Sequence, residues 1–113
     1  MNPTIKLTDG KLYINNQLID FSENIDQILE VNELIIYRFE ITGKNINNRN
    51  VGAVTLEGEK KWIIPESKSA LDFKSYHRIY INENNKLIAL NWTGMEYLVD
   101  IHSGEITPHR FVK

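Results

Sequence analysis

Short alternating segments closed by tight-turn residues recur along the chain and leave room for little except antiparallel hairpins. Thr4-Ile-Lys-Leu-Thr8 alternates, Asp9-Gly10 turns, and Lys11-Leu-Tyr-Ile14 resumes the alternation. Asn15-Asn16 then leads into Gln17-Leu-Ile-Asp-Phe21. Asp-Gly and Asn-Asn tolerate the positive φ that a two-residue hairpin turn demands, so residues 4–21 predict a three-stranded meander.

Residues 22–33 admit two readings. Ser22 could cap a helix with Ile25, Ile28 and Leu29 on one face. Alternatively, Ile25-Asp-Gln-Ile-Leu-Glu-Val31 is a strand that turns at Asn32-Glu33 into Leu34–Ile41. The second reading is favoured because the following segment repeats the pattern. A polar stretch over 42–50 reads as a loop, and Val51–Glu57 and Lys60–Ile64 read as strands joined at Gly58-Glu59. Pro65 ends the unit. Residues 66–74 are the best place for a short helix or helical turn, which Ser67 could cap.

The rest of the chain is a second unit of the same kind. Tyr76–Ile81, Lys86–Trp92, Met95–Ile101 and Glu105–Phe111 are strands, separated by Asn82–Asn85, Thr93-Gly94 and His102–Gly104. Pro108 cannot donate to a ladder, which places the last strand at an edge. Each unit, 25–65 and 76–111, therefore holds four strands at a spacing of about 40 residues, which suits a propeller blade. The expected fold is all-β and antiparallel: two blade-like units, an N-terminal meander and at most one short helix.

The 113 residues contain no cysteine, which excludes disulfides, thiolate metal sites and thiol nucleophiles. No apolar run approaches membrane-spanning length, and the first residues lack the apolar core of a secretory signal. A cytoplasmic protein is expected, with no membrane partner. The net charge of −2 predicts no partner by itself, but its distribution is uneven. Asp20, Glu23, Asp26, Glu30 and Glu33 follow one another with no intervening base. Lys44, Arg49, Lys60, Lys61 and Lys68 are too scattered for a nucleic-acid stripe, so no direct nucleic-acid contact is expected.

Catalytic patterns are missing from the sequence. His77, His102 and His109 fall on separate elements without HxH or HExxH spacing. No serine sits in a nucleophile elbow, and no glycine-rich loop carries the Lys-Ser/Thr of a phosphate site. A non-enzymatic protein without metal or cofactor is expected. Trp62, Trp92, Tyr76, Tyr80 and Tyr97 lie within predicted strands and read mostly as core. Asn91-Trp-Thr93 matches a glycosylation sequon, idle in a cytoplasmic strand.

Asp100-Ile-His-Ser-Gly-Glu-Ile106 is similar to the turn that closes the outer strands of propeller blades. Asn50-Val51, Gly58 and Trp62-Ile-Ile64, with the run from Asn91-Trp92 to Asp100, resemble small bacterial half-propeller proteins. These include immunity proteins of contact-dependent growth inhibition and related polymorphic toxin systems. The resemblance implies a cytoplasmic protein that binds one cognate toxin C-terminal domain, a nuclease in some systems, and occludes its active site. On that reading Asp20, Glu23, Asp26, Glu30 and Glu33 mimic phosphates toward a basic cleft, and Tyr13, Trp62 or Tyr97 supplies an aromatic anchor if exposed. Two blades do not close a ring, and open faces of this kind mark partner sites or dimerisation. The competing readings are a small-ligand or sensor module using the open face, and a homo-oligomer that completes a larger ring.

Overall fold

A computed structural model describes residues 3–43 and 46–112. Among these residues the secondary structure is entirely β, in three antiparallel meander sheets. The first comprises β1 (Ile5–Thr8), β2 (Lys11–Ile14) and β3 (Gln17–Ile19). The second comprises β4 (Ile25–Val31), β5 (Leu34–Phe39), β6 (Val51–Thr55) and β7 (Lys60–Ile63). The third comprises β8 (Tyr76–Ile81), β9 (Leu87–Asn91), β10 (Met95–Val99) and β11 (Ile106–Phe111). Each strand pairs with its neighbours in sequence.

The hairpins follow from their turn residues. Asp9 and Gly10 (φ 52° and 78°), Asn15 and Asn16 (51° and 67°), and Asn32 and Glu33 (47° and 64°) are all left-handed. Such pairs match the right-handed strand twist. Residues 25–31 are accordingly a strand, and the helical alternative is not taken. No helix forms over 66–74 either. The backbone there is a bent loop, and Ser67, the expected cap, is buried with a hydroxyl that makes no hydrogen bond.

The second sheet is the middle layer, and its sequence shows why. Strand β5, Leu-Ile-Ile-Tyr-Arg-Phe, is apolar almost without interruption, as a strand covered on both faces requires. Ile36 joins Val51, Ala53, Trp62 and Ile64 against Tyr76, Ile79, Leu87, Ala89, Tyr97 and Val99 of the third sheet. Ile35, Tyr37 and Phe39 pack the other way, against Leu12 and Ile14 of the first sheet. Gly52 permits this second layer, because an added Cβ would overlap the Tyr37 ring. Burial pushes the Tyr37 hydroxyl up to about 12. Phe21 closes the aromatic cluster, with ring centroids 4.7 Å from Tyr37 and 5.6 Å from Phe39.

Two carboxamides join the middle and third sheets at strand β8. Gln27 donates to Ile79 O (2.6 Å) and accepts from Ile79 N (3.0 Å). Asn50 does the same to Tyr76, at 2.7 and 2.8 Å, and also donates to Phe39 O at 3.2 Å. Edge-strand amides that would otherwise lie unpaired are thus satisfied by side chains from the neighbouring layer.

Candidate functional site: the loop end of the stack

Antiparallel alternation divides the connections between two ends of the stack. The turn end carries residues 15–16, 32–33, 55–59, 82–85 and 100–105, all short. The loop end carries the long segments 40–50 and 64–75, with turns 9–10 and 92–94.

Side-chain hydrogen bonds knit the long loops together. Asn48 donates to Asp72 O (2.8 Å) and accepts from Lys74 N (2.9 Å). Ser75 Oγ donates to Asn47 O at 2.7 Å, and Asn91 donates to Lys74 O at 2.6 Å. On this frame Trp92 stands 55% exposed, with Phe73 at 5.2 Å and the His77 ring edge-on at 5.6 Å. Leu71 is exposed on the same loop. A bulge between Tyr76 and Arg78 sets His77 off the ladder, and His77 Nδ1 is buried without a hydrogen-bond partner. Burial and the charges of Arg38 and Arg78 hold this imidazole below its ordinary value.

The structure divides the acidic set. Glu23 reaches the loop end, where Asn47 donates to its carboxylate at 2.7 Å. Asp26, set out by a bulge in β4, pairs with the buried Arg38 at 2.6 Å. Glu30 and Glu33 are exposed farther along β4 and at its turn, and Glu33 lies about 20 Å from Asp26 at ordinary strand rise. Asp20 departs toward the opposite edge of the middle sheet, where Lys60 Nζ donates to its carbonyl oxygen at 3.0 Å. Five acids consecutive in the sequence therefore form no single patch.

The aromatic expectations need correction. Trp62 is buried between the sheets, donates to Ile101 O at 2.6 Å and packs on Gly104. Tyr97 is buried against Tyr76. Neither is available to a partner. Tyr13 is half-buried on the outer face of the first sheet, between Lys6 and Leu18. Trp92, assigned to the core from its sequence, is the exposed one. Its position just before Thr93-Gly94, past the last paired residue Asn91, is the signal that could have revealed it.

Elsewhere, the outer face of the third sheet holds a polar cluster. Glu96 is buried there and accepts hydrogen bonds from the Tyr80 hydroxyl and from Arg110 Nε (2.6 Å). Burial pushes this carboxyl up, but those two hydrogen bonds outweigh it and hold it below its ordinary value. Among the described residues no cluster of His, Asp or Glu is arranged to hold a metal ion. Lys44, one of the scattered bases, lies outside the described residues.

A family model described as Domain of unknown function (DUF7957) matches residues 2–111. The chain belongs to this family. Neither a curated protein nor a solved structure matches it. DUF7957 carries no stated activity, so the functional argument rests on the loop end and on the resemblance of the sequence.

Proposed function

We propose that the chain works by binding a protein partner, as an immunity protein that occludes a cognate toxin domain, with the loop end as its contact surface. The observation that carries this reading is Trp92. A large ring, 55% exposed, is held by Phe73 on the long loop and by His77 at the bulge of β8, in a region ordered by buried carboxamides. Rigid exposed aromatics are what binding hot spots are made of, because little conformational entropy remains to be lost. Glu23 lies at the same end and adds one acidic group toward a basic partner, whereas the charge of Asp26 is already paired with Arg38. The half-propeller reading belongs with this proposal: two four-stranded meanders pack with their first strands, β4 and β8, side by side.

The test is binding of purified C-terminal domains of polymorphic toxins, beginning with any encoded beside the gene for this chain, followed by titration of variants. Trp92→Ala is expected to weaken binding by roughly 30-fold or more, the loss of about 2 kcal/mol typical of a hot spot. Tyr13→Ala, on a different face, is expected to leave it within about threefold. Absence of binding, or equal effects of the two variants, would defeat the proposal.

One observation favours a small-ligand reading. At the turn end, two adjoining grooves of about 570 and 460 Å³ share Glu33, Leu56 and Glu57. Those volumes fall within the range of ligand sites. Both are open grooves with largely polar walls, whereas ligand pockets are mostly apolar and concave, so we place this reading second.

A further inference from the structure

Three open sheets present six edge strands: β1 and β3, β4 and β7, β8 and β11. An unpaired edge templates association unless something blunts it. Five of the six are blunted. Strand β3 has only three residues. Strand β4 bulges between Ile25 and Gln27 and exposes Asp26 and Glu30. Strand β7 is short, opens with Lys60-Lys61 and pairs through an irregularity opposite Ala53 and Val54. Strand β8 bulges, and its Tyr76 and Ile79 amides are taken by Asn50 and Gln27. Strand β11 contains Pro108 and faces a register shift at Glu96/Tyr97.

Strand β1 is as short as β7 and carries the exposed Lys6, but it has no bulge or proline, and among the described residues no side chain caps its outer main-chain groups. It pairs with β2 in unbroken register from Ile5↔Ile14 to Thr8↔Lys11. Asn15 N donates to Thr4 O at 2.8 Å, so the hydrogen-bonded pairs are Thr4/Asn15, Lys6/Tyr13 and Thr8/Lys11. The N–H and C=O groups of Ile5 and Leu7 therefore point away from β2, and no described residue takes them. Their side chains are only half-buried, whereas Leu12 and Ile14, one strand further in, are 0% and 4% exposed. The first sheet is thus unfinished on this flank in both its ladder and its apolar layer.

We propose that β1 accepts an extended strand from a protein partner, which becomes a fourth strand of the first sheet. A second copy of this chain is a poor occupant. The self-pairing register that engages Ile5 and Leu7 of both copies centres on Lys6 and sets two ammonium groups directly opposite, which is destabilising. Lys6 and Lys11 also make the exposed side of this edge basic. The incoming strand is therefore one with apolar residues opposite Ile5 and Leu7 and an acidic residue between them, facing Lys6. Main-chain bonds supply the affinity and the alternating side chains the selectivity. This edge is separate from the loop end, so its failure leaves the loop-end reading standing.

The test uses a short blocked peptide centred on Val-Glu-Val, its Val-Lys-Val counterpart, and a Val-Glu-Val version N-methylated at both valines. Amide hydrogen exchange is followed at Ile5 and Leu7, with Lys6, already bonded to β2, as the internal reference. At millimolar peptide, Val-Glu-Val is expected to slow exchange at both positions roughly tenfold, and the other two peptides by less than about threefold. In Lys6→Glu the preference between the acidic and basic peptides is expected to reverse. The proposal is overturned if Val-Glu-Val gives no protection, if N-methylation makes no difference, or if the Lys6→Glu preference stays unchanged. Protection that rises with protein concentration in the absence of peptide would assign the edge to a second copy instead.

Discussion

The two ends of the stack are ordered by different means. At the turn end, the side-chain hydrogen bonds that shape the turns themselves are local. Asp100 Oδ1 accepts from His102 N and Ser103 N, Asn82 Oδ1 accepts from Asn84 N and Lys86 N, and Thr55 Oγ1 accepts from Glu59 N. At the loop end such local bonds are joined by many long-range ones, as in Asn91 to Lys74, 17 residues apart, and Ser75 to Asn47, 28 apart. Local bonds order a turn before the sheets meet. Long-range bonds exist only once the sheets have packed, and their reward is then a rigid surface built from long loops. This difference lets the long segment 64–75 hold Phe73 against Trp92 of the neighbouring turn without the entropy that long loops ordinarily retain.

The largest expected effect breaks the loop end at its most buried bond. Asn50→Ala leaves the Tyr76 N–H and C=O unpaired inside the molecule and leaves Phe39 O with Arg38 alone, and is expected to cost about 3 kcal/mol in chemical denaturation. It should also raise hydrogen exchange across residues 64–75 and leave the hairpin at 32–33 unchanged. Uniform loss of protection at both ends would show that the ends are not ordered separately.

Next comes a place where the turn end depends on a distant side chain. Gly104 has φ +78°, and a Cβ there would lie 2.5 Å from the Trp62 ring. Gly104→Ala is expected to cost about 2 to 3 kcal/mol, from left-handed strain together with overpacking. Denaturation midpoints, with Trp62 fluorescence as the reporter of its burial, measure this.

A pH titration sharpens the contrast further. The folded state holds His77 below its ordinary value of 6.5 through burial and the nearby Arg38 and Arg78, so the unfolded chain takes up a proton first. Stability from this source is complete above pH 6.5 and is lost as pH falls below it through the folded value. The thermal midpoint should fall between pH 7 and pH 5, and less so in His77→Gln. A second loss, as pH falls below 4.5 through the depressed value of Glu96, should persist in that variant.

The smallest effect lies in a turn that needs no tertiary support. Glu33 adopts φ 64°, which glycine tolerates without strain, so Glu33→Gly is expected to be neutral or to stabilise by about 0.5 kcal/mol. A substantial loss would mean that the turn end, too, depends on side chains.

Much of the fold was legible from residues alone. Asp9-Gly10, Asn15-Asn16 and Asn32-Glu33 marked hairpins that the structure contains, and repetition of the pattern resolved residues 25–31 as a strand. The site was far less legible. Trp92 looked like strand core because it ends the apolar run from Leu87, although its ring stands in the open beyond the last residue of β9. Trp62 and Tyr97 looked equally eligible as anchors, and the packing of the third sheet on the second buried both. The acids from Asp20 to Glu33 looked like one patch because they are neighbours in sequence, yet a crossing segment and an extended strand carry them to different sides.

Local chemistry by itself determined the all-β class, the meander connections and the positions of the tightest turns. Backbone φ preference and two-residue alternation act over a few residues and need no knowledge of the rest. Only the tertiary structure decided which of two similar tryptophans is buried, where Asn47, Asn48 and Asn50 find their partners, and which edge strands are bulged or capped by side chains of another layer. Those outcomes depend on contacts between sheets, and a side chain's burial or bonding is a property of whatever layer arrives opposite it.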